Sequence, residues 1–234
     1  MKTMCCFFTR VASLAAVLWA AAAQASSPTF AVPHAETIPN QLELSAGIAP
    51  FPQGSIGLVR LQASTALPQQ INLTLTAHEF ISGIQSNERF LMLGLSRPFG
   101  LGKKGKIAPF LQSVFFAGLT PLDRRLALRA GLAFAGGGPR LRWDASLPLV
   151  GLVARPGHPR EQGFEAMGVL DVLLSTELGM TLGAQGPRSL RLGLAGTLAR
   201  LTYRQKIAKG HAVVNLASMG SHSLLLAGWI VKLP

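Results

Sequence analysis

Polar and apolar residues alternate at every second position through several separate stretches of the chain. Residues 71–78 read Ile-Asn-Leu-Thr-Leu-Thr-Ala-His, and the stretches 126–134 and 189–194 repeat the theme. Because successive side chains of a β-strand point to opposite faces, this alternation predicts strands with one apolar and one more polar face.

The segment 140–147 separates a strand from a helix most clearly. Arg140, Arg142 and Asp144 alternate there with Leu141 and Trp143. An α-helix turns roughly 100° per residue and would hold the two arginines about 200° apart. A strand holds them side by side, so the segment predicts a strand with a charged face.

Glycine- and proline-containing turns separate the alternating stretches. Glycine supplies positive φ, and proline fixes φ while removing a donor from the strand ladder. These turns recur at intervals of about 10 to 20 residues, which favours an antiparallel up-and-down topology. They lie at residues 50–53, 67–69, 136–139, 185–187 and 220–221.

Eleven strands follow from the alternation and the turns. They cover residues 41–49, 54–66, 70–80, 89–97, 107–117, 125–135, 139–149, 164–183, 188–203, 211–219 and 222–233. Bacterial single-chain barrels have even strand counts, so one strand is missed, merged or false. The stretch 164–183 is the suspect, because it is long for one ordinary strand. The fold prediction is therefore an all-β, antiparallel up-and-down transmembrane β-barrel of about 10–12 strands.

Composition supports the membrane interpretation. Only 14% of the residues are charged, 49% are hydrophobic and the mean hydropathy is +0.36. A soluble β-sandwich of this length would lack charges to protect its surface, whereas a barrel turns its apolar faces to lipid. A secreted soluble β-sandwich that binds a ligand stays open as an alternative.

The first 25 residues have the order of a secretory signal peptide. Lys2 and Arg10 precede an apolar stretch at 11–23, and Ala23-Gln24-Ala25 forms a small-residue cleavage site. We expect a signal peptide at 1–25 cleaved near Ala25, a periplasmic lead-in at 26–40 and a barrel at 41–234. Both cysteines, at positions 5 and 6, would leave with the signal, so no disulfide or thiolate site is expected.

The mature chain would be basic. Without Lys2 and Arg10 it keeps 20 lysines and arginines against 10 acidic residues, a net charge of +10. Such a balance suits nucleic acid, anionic lipid headgroups or an anion pathway. The basic residues are spread along the chain without a basic and aromatic cluster, so no nucleic-acid partner is expected; small anions are the candidate solutes.

The end of the chain carries a resemblance. Residues 229–234 read Trp-Ile-Val-Lys-Leu-Pro, which resembles the apolar, partly alternating final strand of small bacterial outer-membrane β-barrel proteins, although an aromatic last residue is absent. The resemblance covers about residues 41–233 and is to the broad class. It implies location in the bacterial outer membrane, contact with outer-membrane lipids and insertion by the barrel assembly machinery.

The residues that could carry chemistry do not form a recognisable motif. His222 lies between Ser221 and Ser223, but adjacent strand residues point to opposite faces, which is poor geometry for a catalytic triad. The sequence assigns no catalytic residue, and an outer-membrane lipid hydrolase using His78, His211 or His222 stays open as an alternative. The histidines lack metal-ligand spacing and residues 100–106 lack the phosphate-loop order, so no metal or cofactor is expected.

The most informative functional feature is a set of charges predicted to face the lumen. By alternation it comprises Arg60, Arg129, Arg142, Asp144, Asp171 and Arg191, with Glu43. Charges inside a barrel must pair or contact water. One interpretation is a salt-bridged, structural interior; the other is a narrow porin-like channel whose arginines favour anions. Eight-stranded barrels are already filled by side chains, so a barrel of this size leaves little free lumen.

Overall fold

The structure is a computed structural model of the 234-residue chain. It describes residues 35, 40–51, 54–82, 89–102, 105–117, 124–154, 163–166, 176–195, 198–208, 210–219 and 222–233. The predicted signal peptide at 1–25 and nearly all of the lead-in at 26–40 lie outside these residues, so both stay predictions.

Fourteen strands occupy the described residues. They are β1 (Gln41–Phe51), β2 (Gly54–Leu67), β3 (Ile71–Ser82), β4 (Arg89–Ser96), β5 (Phe99–Leu101), β6 (Gly105–Ala117), β7 (Arg125–Gly137), β8 (Leu141–Ala154), β9 (Phe164–Ala166), β10 (Glu177–Leu182), β11 (Arg188–Ala195), β12 (Leu198–Ile207), β13 (Gly210–Met219) and β14 (His222–Lys232). A single 3-10 turn, Pro68–Gln70, joins β2 to β3. In the described ranges no helix is long and apolar enough to cross a lipid bilayer.

The strands close into one antiparallel barrel of twelve strands. Pairing of the first and last strands along Gln41–Ile48 and Leu225–Lys232 closes the ring. The short strand β5 pairs with β6 off the ring, whereas β9 and β10 both pair with β8 and together take one place in the ring. The predicted up-and-down barrel is confirmed, and the sandwich alternative is wrong because a single closed sheet replaces two packed sheets.

Exposure alternates along the strands as a barrel in lipid requires. Along β3 the polar residues Asn72, Thr74 and Thr76 are buried, whereas Leu75 is 45% exposed. The same contrast recurs around the ring, with Leu44, Leu91, Leu192, Leu216 and Leu225 on the exposed face. Large apolar side chains therefore cover the outside, and the polar residues lie in the interior.

The error in the predicted strand count lies in the stretch 188–203, which is two strands. β11 ends at Ala195 and β12 begins at Leu198, and the two pair as a hairpin. In the suspected stretch 164–183, the two described strands β9 and β10 both run antiparallel to β8, so they count as one strand of the barrel. The other ten predicted strands match observed strands, so dividing 188–203 into two strands gives the total of twelve.

This correction moves two connections to the other end of the barrel. We name the end where β1 begins and β14 ends the terminal end, and the opposite end the loop end. The connection between β12 and β13 lies at the terminal end, and that between β13 and β14 lies at the loop end. The strand list had implied the opposite for both, because a missed strand reverses every later direction.

The chain before β1 reaches the barrel at two described points. The side-chain oxygen Oδ1 of Asn40 accepts a hydrogen bond from Thr65 Oγ1 at 2.7 Å, and its carbonyl accepts one from Leu233 N at 2.9 Å. Ala35 is buried in a cluster with interior residues of β6 and β7, namely Ala108, Phe110, Ala133 and Ala135. These contacts fix the start of the barrel and put one lead-in residue against the interior wall.

Candidate functional site in the barrel interior

The structure places the described members of the predicted charged set on the interior-facing positions of their strands. Arg60 on β2 and Arg191 on β11 are almost fully buried, at 0% and 2% exposed. Arg129 on β7 and Arg142 on β8 are half-buried, and Asp144 retains 30% of its side-chain exposure. Asp171 lies outside the described residues. A role of these residues in solute passage stays a prediction.

Glu43 and Arg60 form the first interior ion pair. They come from neighbouring strands β1 and β2, and Arg60 Nη2 contacts Glu43 Oε1. Both side chains are withdrawn from solvent. Separating two buried charges by removing one partner is costly, so the pair ties the start of the barrel wall together.

A second interior cluster joins three strands through Arg191. Its Nε donates to Asp144 Oδ1 at 3.3 Å, and its Nη2 donates to both Asp144 Oδ2 and Glu177 Oε1, the latter at 2.9 Å. The fork of a guanidinium fits two carboxylate oxygens at once, which makes this geometry strong and specific. We call Arg191, Asp144 and Glu177 the interior triad; it bridges the neighbouring strands β11, β10 and β8.

Gly179 makes the interior triad possible. It lies on β10 directly opposite Asp144 and Gly193. A Cβ atom at position 179 would collide with Arg191 Nη2 and stand only 2.6 Å from Asp144 Oδ2. The absent side chain therefore lets the arginine lie over the backbone of β10 and reach the next strand.

Two further interior arginines, Arg200 and Arg204 on β12, were missed by the sequence reasoning. Both are close enough to Arg60 for their charges to act on it, and Arg204 acts on Arg191 as well. The four arginines thus form one positive region, which Glu43, Glu177 and Asp144 neutralise in part. The missed signal is the spacing of Arg200, Thr202, Arg204 and Lys206 at every second residue.

Uncharged polar pairs complete the interior wall. Thr202 Oγ1 donates to Asn215 Oδ1 at 2.7 Å, and Asn72 Nδ2 donates to Ser96 Oγ at 3.2 Å. Each pair joins adjacent strands, so these hydrogen bonds stabilise the pairing register of the strands and also give buried polar side chains a partner. The interior is consequently polar on several sides of the ring.

Two of the three histidines considered for catalysis have described side chains, and both face the interior. His78 is buried on the interior face beside Arg60 of the neighbouring strand, and His211 shares the interior face of β13 with Val213 and Asn215. The side chain of His222 is outside the described set. A hydrolase acting on membrane lipid needs its base on the lipid side, so neither described histidine suits that alternative.

No metal centre is evident in the part of the chain that the structure describes. There, no group of three or more His, Cys, Asp or Glu side chains could hold an ion. The carboxylates of the interior are engaged by arginines instead.

The closed twelve-strand ring, its apolar outside and its charged interior together define the fold of bacterial outer-membrane β-barrels. No protein-family model and no curated protein sequence matches the chain. Solved structures do match, and all of those described below share the barrel.

The solved structure of the KdgM porin in complex with disordered oligogalacturonate is similar over 83% of this chain and 99% of its own, with 10% identity and a TM-score of 0.57. Outer membrane phospholipase A from Escherichia coli matches over 87% of this chain and 97% of its own, with 8% identity and a TM-score of 0.52. The Salmonella typhi outer membrane phospholipase dimer with bound calcium covers 84% of this chain and 92% of its own, with 8% identity and a TM-score of 0.51. At such identities the likeness concerns the fold.

Proposed function

We propose that the protein is a narrow pore of the bacterial outer membrane that prefers small anions. The observation that carries the proposal is the excess of positive charge on the interior face. Seven buried or half-buried arginines occupy described interior positions against three buried or half-buried acidic residues: Arg60, Arg125, Arg129, Arg142, Arg191, Arg200 and Arg204 against Glu43, Asp144 and Glu177. Rings of basic side chains favour anions in pores.

The arrangement of these charges supports passage of anions rather than simple filling of the interior. A purely structural interior would match each arginine with a carboxylate, as Glu43 matches Arg60. Arg204 instead has two buried guanidinium nitrogens, Nε and Nη2, without a hydrogen-bond partner. The cost of burying such groups falls when water or a passing anion contacts them.

The fold family supports the charge class of the solute. The KdgM porin was solved with oligogalacturonate, a chain of carboxylate-bearing sugars. We extend to this chain only the negative charge of that ligand, because 10% identity carries no residue-level correspondence. The proposed solutes are small carboxylates, phosphates and inorganic anions.

Orientation follows from the lengths of the connections. Three of the four longest connections, 83–88, 118–124 and 155–163, lie at the loop end, and the fourth, 97–104 with β5 inside it, lies at the terminal end. The remaining connections at both ends have two to five residues. Outer-membrane barrels carry long loops outside and short turns in the periplasm. We therefore propose that the loop end faces the exterior and that both chain termini face the periplasm.

Planar-bilayer recording tests the proposed function. The refolded barrel is inserted into a neutral lipid bilayer, and the reversal potential is read across a KCl gradient. We expect small conductance steps and a reversal potential displaced toward the chloride equilibrium potential. Arg60→Gln combined with Arg200→Gln should shift that potential toward zero, whereas Arg97→Gln, an exposed cation outside the interior, should leave it unchanged.

The alternative of a non-conducting structural barrel predicts a different record. Folded, heat-modifiable protein that gives no steps at any salt concentration would overturn the pore proposal. A cation-selective current would overturn the anion preference while leaving the pore.

A further inference from the structure

A cluster of basic side chains surrounds the interior at the terminal end, away from the carboxylates of the interior triad. Arg204 and Lys206 follow each other on the interior face of β12, His211 starts the interior face of β13, and Lys232 ends that of β14. We call these four residues the terminal basic cluster. They come from three adjacent strands, so the pairing register fixes their spacing.

The register places His211 at the centre of this cluster. Lys206 is its direct partner across β12 and β13, and Arg204 is the diagonal neighbour two residues away. Ile230 is its direct partner on β14, which makes Lys232 the diagonal neighbour on that side. Direct partners have Cβ atoms about 4.5–5.5 Å apart and diagonal ones about 7–8 Å, so all four side chains can reach one small ligand. The charges of Arg204, Lys206 and Lys232 all act on His211.

Arg204 supplies an independent indication of a ligand. Its Nε and Nη2 atoms are buried and have no hydrogen-bond partner among the described residues. These two N–H groups lie on one edge of the guanidinium, the edge that binds two oxygens of a carboxylate or phosphate. Interior arginines with protein carboxylates, such as Arg191, use that edge in this way.

The acidic groups that face the cluster are already engaged. Gln41 is the direct partner of Lys232 on β1, and Glu43 is the next interior residue of that strand. Glu43 contacts Arg60. On the other side, Pro187 and Ser189 of the chain around β11 lie beside Lys206 and Arg204. Described neighbours therefore offer the cluster amides and a hydroxyl, and the one carboxylate nearby binds another arginine.

We infer that the terminal basic cluster is an oxyanion-binding site, in which Arg204 holds two oxygens of a carboxylate or phosphate group and Lys206, His211 and Lys232 surround the rest of its charge. The inference deepens the proposed pore function and rests on it for its physiological meaning. In the proposed orientation the site lies at the periplasmic mouth, where a solute would enter or leave the narrow interior. Its residues face inward, which suits a soluble anion better than a lipid headgroup.

Calorimetric titration of the folded barrel with inorganic phosphate tests the site. The protein is held in a non-ionic detergent free of lipid, and acetate is titrated in a second series. We expect saturable binding of phosphate that Arg204→Gln weakens at least about tenfold, as the loss of charge-assisted hydrogen bonds requires. Lys206→Gln together with Lys232→Gln should weaken it severalfold. Arg188→Gln is the matched control, because Arg188 lies at the same end of the barrel as the cluster but on the exposed face of β11.

The heat-modifiable gel shift confirms that each variant is folded. If Arg204→Gln does not fold, the double variant at Lys206 and Lys232, whose side chains are solvent-exposed at the mouth, provides a second test. Unchanged phosphate binding in folded Arg204→Gln, or an equal loss in Arg188→Gln, would overturn the site. Binding that phosphatidylglycerol micelles abolish and free phosphate cannot restore would identify a lipid-headgroup site and overturn the soluble-anion assignment. Phosphate binding by a barrel without conductance would support the binding site and overturn the pore. Conductance without phosphate binding would support the pore and overturn the binding site.

Discussion

The interior triad and the terminal basic cluster both use arginine on the inner wall, but they differ in what surrounds the charge. Arg191 is held by two carboxylates from two other strands. Arg204, one strand away, has buried nitrogens that no described group binds. The same residue type thus joins strands through carboxylates in one region, and in the other it is the group to which we assign anion binding.

The two regions lie on the same inner wall and differ in the partners of their arginines. The interior triad adds ion pairs across β8, β10 and β11, which backbone pairing already joins. The described carboxylate near the terminal basic cluster, Glu43, contacts Arg60, and in our proposal the charge of the cluster is left for a soluble anion.

Removing the central arginine of the triad should produce the largest effect. Arg191→Leu removes the guanidinium that donates to Glu177, which is 0% exposed and keeps only the positive charge of Arg200 near it. Loss of one partner of a buried ion pair costs about 3–5 kcal/mol of unfolding free energy. Urea unfolding of the barrel in detergent, followed by tryptophan fluorescence, measures the change.

The double variant Arg191→Leu with Glu177→Leu is the control for that experiment. Removing both charges eliminates the fully buried carboxylate and leaves Asp144, whose side chain is 30% exposed, as the one carboxylate of the triad without Arg191. Replacements of buried ion pairs by apolar residues are often neutral. We expect the double variant to recover more than half of the lost stability. A double variant as unstable as Arg191→Leu would show that the unpaired Glu177 carboxylate is not the cause of the lost stability.

Adding one methyl group at Gly179 should produce the next largest effect. The new Cβ of Gly179→Ala would overlap the Arg191 guanidinium and displace it from Asp144. Overpacking a tightly filled site costs about 1–3 kcal/mol. Gly100→Ala is the control, because a Cβ at that position meets no atom within 4 Å. Equal unfolding midpoints for the two variants would contradict the role assigned to Gly179.

Sequence reasoning could find the triad's arginine but not its full extent, for a specific physical reason. Within one strand, side chains at every second position share a face, and this alternation places Arg191 correctly on the interior face. β11 and β12 form a hairpin in which Ala195 pairs with Leu198, so Arg200 falls on the same interior face as Arg191 although the two differ by an odd number of positions. Treating 188–203 as one strand turned Arg200 outward, and ending that strand at 203 left Arg204 in a connection.

The barrel itself was predictable because its evidence is repeated. Each alternating stretch such as 71–78 gives the same result, and one wrong boundary among many does not alter the class of fold. The ion pairs depend on the choice of register between neighbouring strands, which sets Gly179 opposite both Asp144 and Gly193. Periodicity within a strand carries no information on that choice.

Arg204→Leu should change stability in the opposite direction from Arg191→Leu. It removes buried donors that have no protein partner, and such groups cost about 1–3 kcal/mol when unsatisfied. We expect unfolding free energy to be unchanged or to rise by about 1 kcal/mol in phosphate-free buffer. Saturating phosphate should stabilise the wild-type barrel but not the variant. A loss as large as that of Arg191→Leu would place Arg204 among the structural ties and remove the contrast between the two regions.

The smallest effect is expected from an ion pair on the outer face. Glu79 and Arg89 are direct partners on β3 and β4 near the loop end, with 3.3 Å between Oε1 and Nη2 and side chains 46% and 67% exposed. An exposed pair in water contributes about 0.2–1 kcal/mol, so Glu79→Gln should change the unfolding free energy by no more than that. The comparison with the triad then isolates burial as the cause of the large effect. If Glu79→Gln in lipid vesicles cost more than about 2 kcal/mol, the pair would lie in hydrocarbon, where a charge is expensive without its partner. The boundary of the membrane would then have to be drawn beyond this row of residues, and the apolar band of the barrel would extend closer to the loops.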